Sequence, residues 1–203
     1  LTTDDPEALT TRLTEAGLSR YPTFSFERTG QAPDGQELPV SFTLAFASHP
    51  DLVRAGIFAL RHNHAPENFW HTAYQTHPNT AQALARVTMV SPNVARTERT
   101  LAGIFGVDAT DEDGLRLFAF PDGSAVELTD AAGFEARFGS ADFQDKVLPR
   151  FAAMTITVSD LAATRAALAS GAVAYAETGG GLVVKPADGG GVAYRFVPAA
   201  PAP

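Results

Sequence analysis

The chain has 203 residues, 45% of them apolar and 19% charged, a composition that fits one large or two compact folded domains and excludes a fibre or a disordered chain. Its 23 acidic against 15 basic residues leave a net charge of -8, the wrong sign for a nucleic-acid backbone or an anionic membrane surface. No cysteine is present, which removes disulfides, thiolate metal sites and cysteine nucleophiles together, and charges interrupt every apolar run well short of the roughly 20 residues of a membrane span.

In chain order, the first predicted element is a helix in TTDDPEALTTRLTEAGL, Thr2 to Leu18, with Asp5 as its N-cap, Leu13 on its apolar stripe and Gly17 as its stop. Strands are expected over Val40 to Phe46, Ala55 to Leu60 and Leu84 to Val90. A second helix follows, capped by Asn93, with Leu101 eight residues on and Gly106 closing it. Leu115 to Phe120 and Ser124 to Leu128 read as strands joined through Pro121-Asp122-Gly123. Phe151 to Val158 is the next strand, and Asp160, Leu168 and Gly171 frame a third helix with the same grammar. Gly181 to Lys185 and Gly191 to Val197, separated by Pro186-Ala187-Asp188-Gly189, complete the chain, with Gly179-Gly180-Gly181 as a hairpin turn rather than a phosphate loop.

The Asp or Asn cap, the Leu eight residues later and the Gly recur three times, so the chain reads as three copies of a β-α-β-β-β unit. The first copy starts at its cap. A strand, and a whole partner unit, are therefore expected upstream in a longer parent chain. Residues 1–75 form the unpaired unit on this reading. Residues 76–203 hold the paired units, about 80–145 and 150–198, as one domain.

Repeated units of this kind resemble the vicinal oxygen chelate superfamily of glyoxalases, extradiol dioxygenases and bleomycin-resistance proteins. The stretch GIFALRHNHAPENFWHTAYQTHPNTA, Gly56 to Ala81, resembles its glyoxalase-like domain branch through His62, Trp70 and His77-Pro78-Asn79. The resemblance implies an α+β fold whose curved mixed or antiparallel sheets form cup-like clefts. It also implies either a divalent-metal-dependent lyase or oxygenase acting on a small oxygenated molecule, or a non-catalytic protein that sequesters one, as bleomycin-resistance proteins do. The expected setting is cytoplasmic, with a small-molecule ligand, no nucleic-acid or membrane partner, and a homodimer left open because paired units can come from one chain or two.

All five histidines lie between positions 49 and 77. His62 and His64 would share one sheet face if the strand before them persists, and the pairing is void if it breaks at Arg61. The resemblance makes His62 the candidate metal ligand, completed by a His and a Glu from the upstream unit in a set suited to Fe, Mn, Zn or Ni. His77, Asn79, Trp70 and Arg86 are the substrate-binding candidates. For each a plainer reading stands beside it: a Pro corner for His77-Pro78-Asn79, fastening of units for Trp70, and pairing with local acids for Arg86 and Arg61. Glu127 is the catalytic candidate, as base or ligand, or else the salt-bridge partner of Arg86 if their strands adjoin. The family's ligand places in the second and third copies fall on Arg86, Glu127, Met154 and Tyr194 or Arg195, so that cup is expected to lack a metal.

Overall fold

A computed structural model describes the chain apart from His64, Ala65, Phe69, Gln144 and residues 200–203, with the backbone alone for His62 and Pro66. It divides into two compact units, Leu1–Thr76 and His77–Pro203.

In the first unit, helix α1 (Pro6–Glu15) is followed by the antiparallel strands β1 (Phe24–Gln31), β2 (Glu37–Ala47) and β3 (Ile57–His62). Asp5 caps α1 by accepting the Ala8 N–H at 2.9 Å, and Pro6 sits where a helix has no need of its own N–H. Ahead of the cap, Thr2 bridges Leu60 of β3 in parallel, with Thr3 N–H donating to the Leu60 carbonyl at 2.9 Å. Sequence patterning misses β1. Six of its eight residues are exposed, so it carries no buried alternation to read.

The second unit holds strands β4 (Ala81–Val90), β5 (Thr110–Glu112), β6 (Leu115–Ala119), β7 (Ala125–Thr129), β8 (Arg150–Val158), β9 (Ala176–Thr178), β10 (Gly181–Val184) and β11 (Ala193–Pro198). Its helices are α2 (Val94–Phe105), α3 (Ala131–Phe138) and α4 (Leu161–Ser170). The strands make one open sheet in the order β5-β6-β7-β4-β8-β11-β10-β9. That order is palindromic by repeat. Each repeat sets its first strand at the centre, pairs its last strand parallel to it, and puts its shortest strand at the edge. The two central strands β4 and β8 run antiparallel, so a local two-fold axis relates the halves. Both sheets remain unclosed, and the α+β class with curved sheets holds.

The two faces of the large sheet separate cleanly along β8, β10 and β11. Ile156, Val158, Leu182, Val184, Tyr194 and Phe196 pack with Leu161 and Leu168 of α4. On the other face Val90, Ala153, Val183 and Ala193 take Phe134 and Phe138 of α3. Strand alternation puts Thr155 and Arg195 on this second face. Curvature toward that face is forced by one contact. Glu112 and Arg86 lie three strands and about four residues apart, about 19 Å on a flat sheet, yet their side chains meet at 2.6 Å. The sheet is a cup with α3 at one end.

Helix α3 was not expected, although its signals are present: Asp130 accepts the Gly133 N–H at 2.8 Å, and Gly139 closes it at φ 70°. Gly171 stands at the end of α4 as expected, but it does not supply the left-handed turn. Its φ is -81°, and the left-handed residue is Ala172 at φ 52°. The pair Val173 N–H to Leu168 and Ala172 N–H to Ala169 repeats the pair Leu18 N–H to Leu13 and Gly17 N–H to Thr14. The repeat therefore aligns Gly17 with Ala172. Gly106, at φ 71°, does close the middle helix.

Candidate functional site

Arg86 and Thr88 project from β4 onto the cup face, and the parallel neighbour β7 places Glu127 beside Thr88. Glu127 is completely buried. Its Oε2 accepts the Thr88 hydroxyl at 2.6 Å, and its Oε1 accepts Arg86 Nη1 at 3.0 Å and Arg137 Nη2 of α3 at 2.7 Å. Three of the roughly four acceptor positions of a carboxylate are thus filled. Arg86 also donates to Glu112. Burial pulls the Arg86 guanidinium down, and its hydrogen bonds to Glu112 and Glu127 outweigh that and hold its pKa above the ordinary arginine value.

The second half of the cup repeats the arrangement with the charge reversed. On β8, Thr155 lies in register with Arg86 on one side and Arg195 of β11 on the other. The local two-fold axis carries the pair Thr88 and Glu127 onto Thr155 and Arg195. Thr155 is 3% exposed, and among the described residues its hydroxyl has no hydrogen-bond partner, nor have the buried Nε atoms of Arg137 and Arg195. Arg195 makes one long hydrogen bond, to the Gly179 carbonyl at 3.3 Å. Burial, then the positive charge of Arg137, pushes its pKa below the ordinary arginine value, with Glu127 opposing.

Of the residues singled out from sequence, the structure brings Arg86 and Glu127 together as an ion pair, on strands that do adjoin. Met154 is corrected as the third copy's first-strand place: the two-fold equivalent of Arg86 is Ala153, and the polar residue that β8 turns to the cup is Thr155. Met154 pairs with Tyr194, which packs against the α4 face, so Arg195 is the last-strand residue in the cup. Thr88, Arg137 and Thr155 were missed. An alternating strand pattern would have flagged the threonines as inward-facing polar residues, and Arg137 was lost with α3.

His77 and Asn79 sit at a corner at the start of β4. Thr80 N–H closes a turn onto the His77 carbonyl at 2.9 Å, and the Thr164 hydroxyl of α4 donates to the Asn79 carbonyl at 2.7 Å. Arg86 lies seven residues further along the chain, and these bonds hold the corner rather than join the Arg86 cluster. In the first unit, His62 ends β3 opposite Phe42, while its side chain and His64 lie outside the described residues. His49 and His71 each accept a backbone N–H at a short 3-10 turn, from Asp51 and Ala73. Trp70 is 56% exposed, and Arg61 donates to the Asp4 carbonyl and to Asn63. The first unit also carries an apolar groove of about 630 Å³ walled by Tyr21, Phe24, Phe46, Val53 and Phe58.

The cup does not fit a divalent metal. Its one buried carboxylate is engaged by two guanidinium groups and a hydroxyl, and a cation there would face three arginines. Among the described residues, no three His, Cys, Asp or Glu side chains gather in a ligating group.

The family model of the glyoxalase-like domain matches residues 1–105, just over half of the chain. The chain belongs to the glyoxalase-like domain family. Its fold is similar to that of a hypothetical protein from Staphylococcus aureus, at TM-score 0.62 and 14% identity, over 98% of this chain and 64% of that one. It spans, then, somewhat under two thirds of that protein's length. A methylmalonyl-CoA epimerase from Mycobacterium tuberculosis aligns at TM-score 0.48 and 23% identity, over 64% of this chain and 97% of that one. No curated protein matches the chain. Among the described residues no helix is long and apolar enough to cross a membrane.

Proposed function

We propose that this glyoxalase-like protein binds a small oxygen-bearing molecule in the cup of its second unit and holds it without turnover, as a sequestering protein. The observation that supports this is the state of Glu127. A general base needs a lone pair facing substrate and a protonation state free to change. Glu127 is instead fully buried, with three of its roughly four acceptor positions taken by Thr88, Arg86 and Arg137, and its role is to fix those two guanidinium groups in place. Arg86 is then a binding residue through its orientation by Glu127 and Glu112.

The competing reading, a metal-dependent lyase or oxygenase, attaches to His62 in the first unit and requires further ligands beyond it. Metal analysis of protein purified without chelator, beside His62→Ala, separates the two. The expected result is less than a tenth of an equivalent of Fe, Mn, Zn or Ni in both. One equivalent per chain, lost in His62→Ala, would replace sequestration with metal chemistry.

A further inference from the structure

We propose that the ligand enters the cup through a carboxylate, which docks against Thr155, Arg195 and Arg137 much as the Glu127 carboxylate is held by Thr88, Arg86 and Arg137. This rests on the reading of the cup as a binding site and names the chemical class it selects. In the first half of the cup the protein supplies the anion: Glu127 takes one hydroxyl bond from Thr88 and one guanidinium bond each from Arg86 and Arg137. In the second half the register-matched threonine is present and the carboxylate is not, because β11 carries Arg195 where β7 carries Glu127.

The consequence is a set of orphaned donors on neighbouring elements: Thr155 and Arg195 are register partners on β8 and β11, and the charge of Arg137 acts on Arg195. The Thr155 hydroxyl and the Nε atoms of Arg137 and Arg195 are buried without partners, in a fold where such groups are nearly always satisfied. Charge points the same way. Arg86, Arg137 and Arg195 carry three positive charges against two on Glu112 and Glu127. One monoanion brings the cluster to neutrality. A hydroxyl beside two guanidinium groups matches the two oxygens of a carboxylate, as the Thr88, Arg86 and Arg137 set already does for Glu127. A neutral carbonyl ligand would leave Arg195 charged and half-buried, with the more distant Glu127 as its counter-charge in the cup.

The test is an NMR titration of the full chain, following the arginine Nε–H signals of Arg137 and Arg195. Acetate and pyruvate are the probes, with acetamide and pyruvamide as neutral isosteres at matched ionic strength. Saturable shifts with the two carboxylates are expected, with the amides at least ten-fold weaker. Thr155→Val, which keeps the side-chain shape, and Arg195→Gln should each weaken the carboxylates at least ten-fold. Equal binding of amides and carboxylates would overturn the carboxylate assignment and leave the cup as a binding site. Absence of any saturable shift would overturn it as well. One equivalent of metal dependent on His62 would instead remove the functional reading on which it rests.

Discussion

Arg137 Nη2 and Glu127 Oε1 are 2.7 Å apart, and the contact ties helix α3 to the last strand of the repeat that precedes it. Arg137→Ala would remove the ion pair that joins α3 to the sheet and leave the buried carboxylate with Arg86 as its remaining cationic partner. Breaking a buried pair by removing one member costs about 3 to 5 kcal/mol, and the partial exposure of Arg137 puts this case at the lower end. Urea unfolding should show a loss of about 3 kcal/mol at pH 7. A change below about 1 kcal/mol would mean that α3 is held by Phe134 and Phe138 alone.

Thr88 and Thr155 occupy equivalent places with opposite bookkeeping of hydrogen bonds, so the same substitution should act in opposite directions. Thr88→Val removes a donor to a buried carboxylate and should cost about 2 kcal/mol. Thr155→Val removes an unpaired hydroxyl and should be neutral or stabilising by about 1 kcal/mol in the absence of ligand. Denaturation midpoints of the two variants, measured side by side, decide this. Equal losses would mean that the Thr155 hydroxyl has a partner.

Four of the described non-glycine residues, Val53, Thr80, Asp113 and Ala172, hold a positive φ, and two of them test its cost. Ala172 stands where the first repeat has Gly17, and Val53, at φ 52°, is the first central residue of a turn closed by Ala55 N–H on the Leu52 carbonyl. Ala172→Gly and Val53→Gly should each raise stability by about 1 kcal/mol, since left-handed backbone strains an L side chain by roughly that much. Calorimetric Tm values rising in both variants are the expected outcome. A fall for Val53→Gly would show that packing of the valine along the groove outweighs the strain.

Asp122, in the turn between β6 and β7, accepts the Ser124 hydroxyl at 2.7 Å and the Ser124 N–H at 2.9 Å. The hydroxyl bond, then the backbone bond, holds its pKa below the ordinary aspartate value. A depressed folded-state pKa gives stability that is present above the unfolded pKa and fades as pH falls through the folded one. NMR titration of the Asp122 carboxyl should show a midpoint below that of an unstructured aspartate. Ser124→Ala should move it up. An unchanged midpoint would place the cause elsewhere in the turn.

Most of the long elements were legible in the sequence because each carries its own physical label. Asp5, Asn93 and Asp160 cap helices, alternating apolar residues mark β2, and apolar or β-branched runs mark β4, β8 and β10. Three edge strands were not, since β5 and β9 have three residues each and β1 has almost no buried face. Within the site, Arg86 and Glu127 could be paired once their strands were taken as neighbours. Thr155 could not be chosen over Met154, because the irregular register between β4 and β8 shifts which residues of β8 face the cup. Arg195 acquires its significance only from the two-fold axis, a property of the folded sheet that no local stretch of sequence displays.

The eight-stranded sheet ends on both sides in a three-residue strand, each carrying a carboxylate, Asp111 and Glu112 on β5 and Glu177 on β9. An incoming strand from another molecule finds too few free backbone groups at either rim to propagate a ladder, and it meets charge where it tries. Resistance to sheet-on-sheet polymerisation is therefore built into the geometry of this unit rather than borrowed from the net charge of the chain. It should persist in concentrated solution near the isoelectric point, where repulsion between whole molecules has vanished.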